Sequence, residues 1–319
     1  YTPASGTILN VGVNQVLSVN FTPTDATNYN GVTGTTVLIT VNKATLTATA
    51  NNQSRTYGAA NPALTISYTG FVGSDNASVI DVQPTISTTA VNTTAVGNYP
   101  ITLTGGSDNN YNLVLVDGTL TVNKAILVAT AQDASRVYGA TNPAFVISYT
   151  GFVNSENSSV LDTPPTASTA ATVTSAAGTY PIVVSGGLDN NYTYTYTSGT
   201  LTITKATVTA TVSNATRIYG VANPTFTITY SGFVNSETSA VLDVLPTTST
   251  TAIISSNVGL YPINAVGGSD NNYTFNYVSG VLTITKATPV VTWNNPAAII
   301  YGTALSATQL NATASVPGS

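Results

Sequence analysis

The sequence predicts an all-β chain, a tandem array of small β-sandwich modules drawn out into an extended rod. Three observations carry this expectation. Apolar residues alternate with polar ones, as half-buried strands require because successive side chains point to opposite faces: Leu46, Ala48 and Ala50 interleave with Thr45, Thr47 and Thr49. Gly, Pro, Asn and Asp fall between the alternating runs, where turns need a fixed or positive φ. The third observation is an internal repeat with a step of 81 residues.

The repeat is set by three motifs. Lys-Ala occurs at Lys43, Lys124, Lys205 and Lys286, and Tyr-Gly at Tyr57, Tyr138, Tyr219 and Tyr301. Asp-Asn-Asn-Tyr begins at Asp108, Asp189 and Asp270. These spacings place three complete modules at residues 43–123, 124–204 and 205–285. Residues 1–42 read as the C-terminal half of a further module. Residues 286–319 read as an N-terminal half that continues into the next copy. Joined tail to head, the two ends make one more module, so the chain reads as one period of a longer array; the alternative is that its limits fall at an arbitrary boundary. The chain starts without Met, and it is therefore expected to be a slice of a longer protein.

Within the first full module, strands are expected after Lys43 and near 64–68, 84–88, 99–103, 111–116 and 118–122. The stretch 73–80 is the one helix-like turn. Six or seven strands in about 80 residues suit a small sandwich, which is near the lower size for independent stability, so neighbouring modules should support one another. At roughly 30–40 Å per module, from strands of about 6–8 residues at ~3.3 Å each, the chain would span on the order of 120–160 Å.

Composition excludes many functions. The 319 residues include no Cys, His or Met, and 6% are charged, with a net charge of -5. Without Cys and His there is no Ser-His-Asp or Cys-His catalysis, zinc finger, iron–sulfur cluster or disulfide. Seven cations are too few for phosphate neutralisation, so no nucleic-acid partner is expected. No apolar run is long enough to span a bilayer. No phosphate-binding glycine loop of the Walker or Rossmann type is present.

The charges themselves obey the period. All four Lys share one repeat position, and Arg55, Arg136 and Arg217 share another. Nine of the twelve acids occupy three more: Asp75/Glu156/Glu237, Asp81/Asp162/Asp243 and Asp108/Asp189/Asp270. A charge that recurs once per module is part of the module's construction, whereas a catalytic site would occur once. No catalytic residue is expected, and no cofactor. Paired carboxylates for glycoside hydrolysis fail on the same ground.

Several residues have two readings. Asp108, Asp189 and Asp270 offer calcium a loop rich in oxygen, but Ca²⁺ takes about 6–8 oxygen ligands and each loop supplies one acid. The alternative is an Asx turn that sets up the following tyrosine. Tyr111, Tyr192 and Tyr273, with Tyr29 after Asp25, sit where the immunoglobulin-type tyrosine corner places its ring. Lys43, Lys124, Lys205 and Lys286 stand at module junctions, as structural cations reaching an acid or backbone carbonyls of a neighbour. A Lys–Asn isopeptide bond is the sharper reading of the same lysines. Arg55 either packs on the Tyr57 ring or is solvated. The lone Trp293 is expected in the core. Tyr192, Tyr194 and Tyr196 share a strand face, for core packing or for stacking on sugars. Sequons such as Asn76-Ala77-Ser78 follow from composition.

The segments Arg55–Pro62, Tyr68–Val72 and Asp117–Ala125 resemble the MBG-type repeats of large bacterial surface proteins, three times over residues 43–286. The end segments, with Ile300–Leu305 and Phe21–Asp25, resemble the bacterial immunoglobulin-like repeats that often alternate with them. The resemblance implies an extracellular, adhesin-like protein on a bacterial cell surface, in which this chain is the stalk or the shaft of a filament. The expected partner is self, end to end with further copies of the repeat. A surface glycan or cell partner is the alternative, through a glycan- or calcium-binding adhesive module.

Overall fold

A computed structural model describes residues 1–318. Its regular structure is β-strand, with three short 3₁₀ turns. The N-terminal segment forms one antiparallel hairpin of β1 (Gly12–Phe21) and β2 (Val32–Val41). The first repeat contains β3 (Ala44–Ala50), β4 (Gln53–Thr56), β5 (Ile66–Thr69), β6 (Thr85–Ser87), β7 (Gly97–Thr104), β8 (Tyr111–Val116) and β9 (Gly118–Asn123). The second repeats the pattern with β10 (Ala125–Ala131), β11 (Ala134–Val137), β12 (Ile147–Thr150), β13 (Thr166–Ser168), β14 (Gly178–Ser185), β15 (Tyr192–Thr197) and β16 (Gly199–Thr204). The third has β17 (Ala206–Val212), β18 (Ala215–Ile218), β19 (Ile228–Ser231), β20 (Thr247–Thr250), β21 (Gly259–Val266), β22 (Tyr273–Val278) and β23 (Gly280–Thr285). Two short paired strands follow, β24 (Val291–Thr292) and β25 (Thr313–Ala314).

Each repeat builds two mixed sheets. In the first, the orders are β5-β3-β8 and β4-β9-β7-β6. The strand after the junction lysine runs parallel to the strand after Asp-Asn-Asn, with Ala44 opposite Tyr111. The strand bearing Arg55 runs parallel to β9, and the remaining pairs are antiparallel. The parallel pairs distinguish the module from the all-antiparallel immunoglobulin sandwich. Strand β4 lies outside the runs expected from alternation, because its four residues, Gln53–Thr56, include no apolar side chain and carry no hydrophobic period. The expected turn at 73–80 contains a 3₁₀ turn at Ala77–Val79, capped by the Asn76 side chain accepting from the Ser78 N–H.

The chain divides into two compact units. One comprises Tyr1–Ala131, Val146–Ala167 and Val183–Ser198, and the other Gln132–Phe145, Ser168–Ile182 and the chain from Gly199 onward. The first contains the whole first repeat, whose core joins both sheets: Ala48 and Ala50 of β3 meet Ile101 and Leu103 of β7 and Leu120 of β9. The second contains the whole third repeat, where Val212, Ile263, Ala265, Leu282 and Ile284 form the equivalent cluster. Alternation sorts these faces: in β3 Leu46, Ala48 and Ala50 are buried, whereas Thr45 is exposed and Thr47 and Thr49 are half-buried.

The arginines hold loops in place. Arg55 is only 6% exposed, which rules out the solvated reading. Its Nε donates to Asn61 Oδ1 (2.8 Å) and its Nη1 and Nη2 to the carbonyls of Thr56 and Val91. Asn61 in turn donates to the Ala90 carbonyl at 2.6 Å. Arg136 with Asn142 and Arg217 with Asn223 repeat the arrangement. A planar cation with five donors can saturate several carbonyls at once.

Among the described residues, neither residues 1–42 nor 286–318 include a buried one. Trp293, expected in a core, is 57% exposed, with its Nε1 donating to the Gln309 carbonyl at 2.9 Å. A lone two-stranded sheet has no second layer to cover it. Among the described residues no helix is long and apolar enough to cross a membrane.

The turn between β8 and β9 requires glycine, because a Cβ on Gly118 would lie 2.4 Å from the Ala50 carbonyl oxygen. Gly118→Ala is expected to lower the stability of the first repeat by about 1–3 kcal/mol through this overpacking. The shift in urea midpoint at constant m-value measures it.

Candidate functional site

The repeated polar residues converge where one repeat meets the next. The loop that begins at Asp108 is organised by its carboxylate. Oδ1 accepts from the N–H groups of Asn110 (2.7 Å) and Tyr111 (2.8 Å), and Oδ2 from that of Asp81 (3.3 Å). Asp189 and Asp270 receive the same donors. This is the Asx-turn geometry. It turns both carboxylate oxygens toward N–H donors that a calcium ion would have to displace. Among the described residues no group of three or more Asp, Glu, His or Cys is placed to hold a metal ion.

The junction lysines close on the same loops. Lys43 Nζ donates to the Asp108 main-chain carbonyl at 2.6 Å, and Lys124 and Lys205 to those of Asp189 and Asp270 at 2.7 Å. Each lysine reaches a carbonyl of its own repeat, not of a neighbour. An isopeptide bond needs the side-chain carbon of an asparagine, and the atom facing each of these three lysines is a backbone oxygen. Lys286 lies instead on the rim of a cleft with Tyr219 and Val258.

Asparagine crosses the junction. Asn191 Oδ1 accepts from the Val96 N–H of the preceding repeat at 3.0 Å, and Asn272 Oδ1 from the Ala177 N–H at 2.9 Å. Asn110 makes the same bond to the Val11 N–H of the N-terminal segment, at 2.9 Å. All three are the second Asn of Asp-Asn-Asn-Tyr.

Tyrosine crosses in the opposite direction. Tyr57 donates to Glu156 Oε1 (2.6 Å) of the second repeat, and Glu156 Oε2 accepts from Tyr192 (2.5 Å). Tyr138, Glu237 and Tyr273 form the same clasp at 2.7 and 2.5 Å. The two rings of each clasp meet edge to face, with centroids 5.7 and 5.6 Å apart. In the first repeat the acid is Asp75, which accepts from Tyr111 at 2.6 Å. The first seam is sealed by an apolar cluster of Tyr57, Val122, Leu127, Leu161 and Tyr192, with Val153 packed against it.

Glycine makes the approach possible. Gly58 has φ +82, and a Cβ there would stand 2.4 Å from Val153. Gly139 has φ +80 with Val234 at the same distance. The Tyr-Gly dipeptide is thus a docking unit. Its tyrosine reaches across the seam, and its glycine lets a valine of the next repeat settle on bare backbone.

The corner tyrosines are placed as follows. Tyr111, Tyr192 and Tyr273 are buried, and their hydroxyls accept from the N–H groups of Val72, Val153 and Val234 at 2.9–3.1 Å. That backbone lies 39 residues upstream, not a few residues away as in the immunoglobulin corner. Tyr29 differs from them and is 67% exposed. Tyr194 and Tyr196 stack on each other at 6.2 Å, as do Phe275 and Tyr277 at 5.9 Å, so one face of each ring is already used.

Sequence reasoning marked Tyr57, Glu156 and Asn191 as periodic, but not as partners. Tyr57 and Glu156 are 99 residues apart, beyond the reach of any local pattern.

The family model described as MBG domain (YGX type) matches residues 46–121, 127–202 and 206–283. No curated protein matches the chain.

Two predictions follow from the clasp. Glu156→Gln keeps one acceptor oxygen and replaces the other with an NH2 group that cannot accept, so one phenol loses its acceptor. We expect a loss of about 1–3 kcal/mol in thermal unfolding, the same for Glu237→Gln, and less for Asp75→Asn, whose acid serves one phenol. The second concerns pH. The hydrogen bond to Glu156 and burial raise the Tyr57 phenol above its ordinary value of 10.0. Burial, then the bond to Glu237, brings Tyr273 up to about 12. A phenol raised in the folded chain favours folding in full below pH 10, and that contribution is lost as pH climbs through the raised values. The melting temperature should therefore show no contribution from these groups' titration at neutral pH and should fall between about pH 10 and 12. Tyrosinate absorbance should rise together with unfolding.

Proposed function

Because the chain belongs to the MBG domain family of the YGX type, we propose that it is a structural segment of an extracellular bacterial surface protein, the stalk or filament shaft that carries adhesive parts away from the cell. The observation that carries this reading is the use made of the repeated charges. In each of the three repeats the lysine holds a loop carbonyl, the arginine pins two loops, and the aspartate organises the Asx turn. Glu156 and Glu237 each clasp two tyrosines across a seam. The first three hold each repeat together and the glutamates join one repeat to the next, which suits a part whose work is to hold distance and direction. The abundance of Thr and the scarcity of charge fit a chain that lives outside the cell without disulfides.

The test uses the parent protein on intact cells. External protease is expected to cut within residues 1–319. In-frame removal of residues 124–204 joins Asn123 to Lys205 and lets Tyr57 meet Glu237 in the register that Tyr138 holds. That deletion is expected to leave the protein folded and displayed, with its reach shortened by one repeat. A segment sheltered from external protease, or a catalytic activity that falls with the number of repeats, would overturn the reading.

A further inference from the structure

The end of the third repeat carries one half of a seam. At the two complete seams, the tyrosine of Tyr-Gly is buried: Tyr57 is 5% exposed and Tyr138 4%. Its equivalent Tyr219 is 44% exposed. Gly220 keeps the positive φ of Gly58 and Gly139, at +78, yet a Cβ there would meet nothing within 4 Å. Val258 stands one repeat after Ala177, whose N–H is taken by an asparagine. Tyr219, Val258 and Lys286, with Pro289 and Val316, line a cleft of about 390 Å³.

The other half is at the opposite end of the chain. Asp25 Oδ1 accepts from the N–H groups of Thr27 (3.1 Å) and Asn28 (3.2 Å), the Asx turn of the Asp108 loop with one residue added. Asn28 immediately precedes Tyr29, as Asn110 precedes Tyr111. Its Nδ2 donates to Asp25 Oδ2 at 2.8 Å, and its Oδ1 remains an acceptor. Tyr29 is exposed where its three counterparts are buried. Lys43, Lys124 and Lys205 each hold the carbonyl of the Asp that opens such a loop. Lys286 is the fourth lysine of this series, and Asp25 the fourth aspartate.

We propose that the cleft at Tyr219, Val258 and Lys286 is an interaction surface for a second copy of this chain and that its occupant is the loop 25–29 of that copy. Asn28 Oδ1 accepts the Val258 N–H, as Asn272 accepts that of Ala177. Lys286 Nζ donates to the Asp25 carbonyl, and Tyr29 meets Tyr219 as Tyr192 meets Tyr57. The two surfaces thereby bury the rings of Tyr219 and Tyr29, which is the apolar contribution that seals the other seams. The inference stands on the seam geometry and is independent of where the protein resides.

The chain has no cysteine, so a directed cross-link is clean. Thr27→Cys and Asn257→Cys, both at exposed positions, are made in separate chains, mixed and oxidised. The control pairs Asn257→Cys with Thr36→Cys, on β2. A covalent dimer is expected from the first pair in clear excess over the control. Adding Asn28→Ala and Lys286→Ala should reduce its yield by roughly tenfold, the effect of removing two hydrogen bonds. Equal yields in both pairs, or a yield indifferent to Asn28 and Lys286, overturns the proposal. Sedimentation equilibrium of the unaltered chain provides the second reading. Mass rising with concentration supports the docking, and a monomer up to millimolar concentration overturns it. Because both readings use purified chains, their failure would leave the cell-surface reading to its own test.

Discussion

One buried carboxylate per repeat organises this protein. Asp108, Asp189 and Asp270 are almost wholly withdrawn from solvent, an arrangement that is costly unless hydrogen bonds replace the lost water. Three backbone N–H groups do so for each. They fold the loop so that the next residues leave in set directions: asparagine toward the preceding repeat, tyrosine into its own core. The loop carbonyl is held by a lysine brought from the start of the repeat. Remove the carboxylate, and the asparagine bridge, the tyrosine and the lysine all lose their reference point.

The seam adds a second layer to the same logic. Each repeat is small, and a module of about 80 residues buries a modest share of its surface. The tyrosine–glutamate–tyrosine clasp and the valine resting on glycine extend the core past the module boundary. Hydrogen bonds run across the seam in both directions: an asparagine of the later repeat accepts from the earlier one, and a tyrosine of the earlier repeat donates to the later one. Such a bridge specifies one orientation, since sliding either repeat breaks both bonds together. The acid differs where the preceding neighbour differs. It is Glu between two MBG repeats and Asp where the N-terminal hairpin precedes.

Much of the module was legible in the sequence. Strict alternation in stretches such as Ala44–Ala50 dictates which side chains point inward, and the 81-residue step reveals the repeat without further information. The Asx turn could be foreseen because its partners lie two and three residues away. The arginine strand β4 could not, since its burial comes from loop carbonyls as distant as Val91 and not from a hydrophobic period. Trp293 and Tyr29 were misplaced for a related reason. Each has the local pattern of a core residue, but burial depends on a second layer of structure, and the segments holding them form only two-stranded sheets.

The sequence by itself determined the all-β class and the tandem repeat, because these depend on alternation, turn chemistry and periodicity along the chain. Only the tertiary structure decided the parallel pairing of β3 with β8, the target of each lysine and the tyrosine–glutamate clasp. Those contacts join residues 36 to 99 positions apart, and a pairing at that distance is selected by the packing of whole sheets, which leaves no trace in local spacing. Lysine shows the difference most plainly. Its period was evident from the spacing of the Lys-Ala pairs, but whether it met a neighbour's acid or its own loop's carbonyl depended on where the fold carried the end of a long side chain.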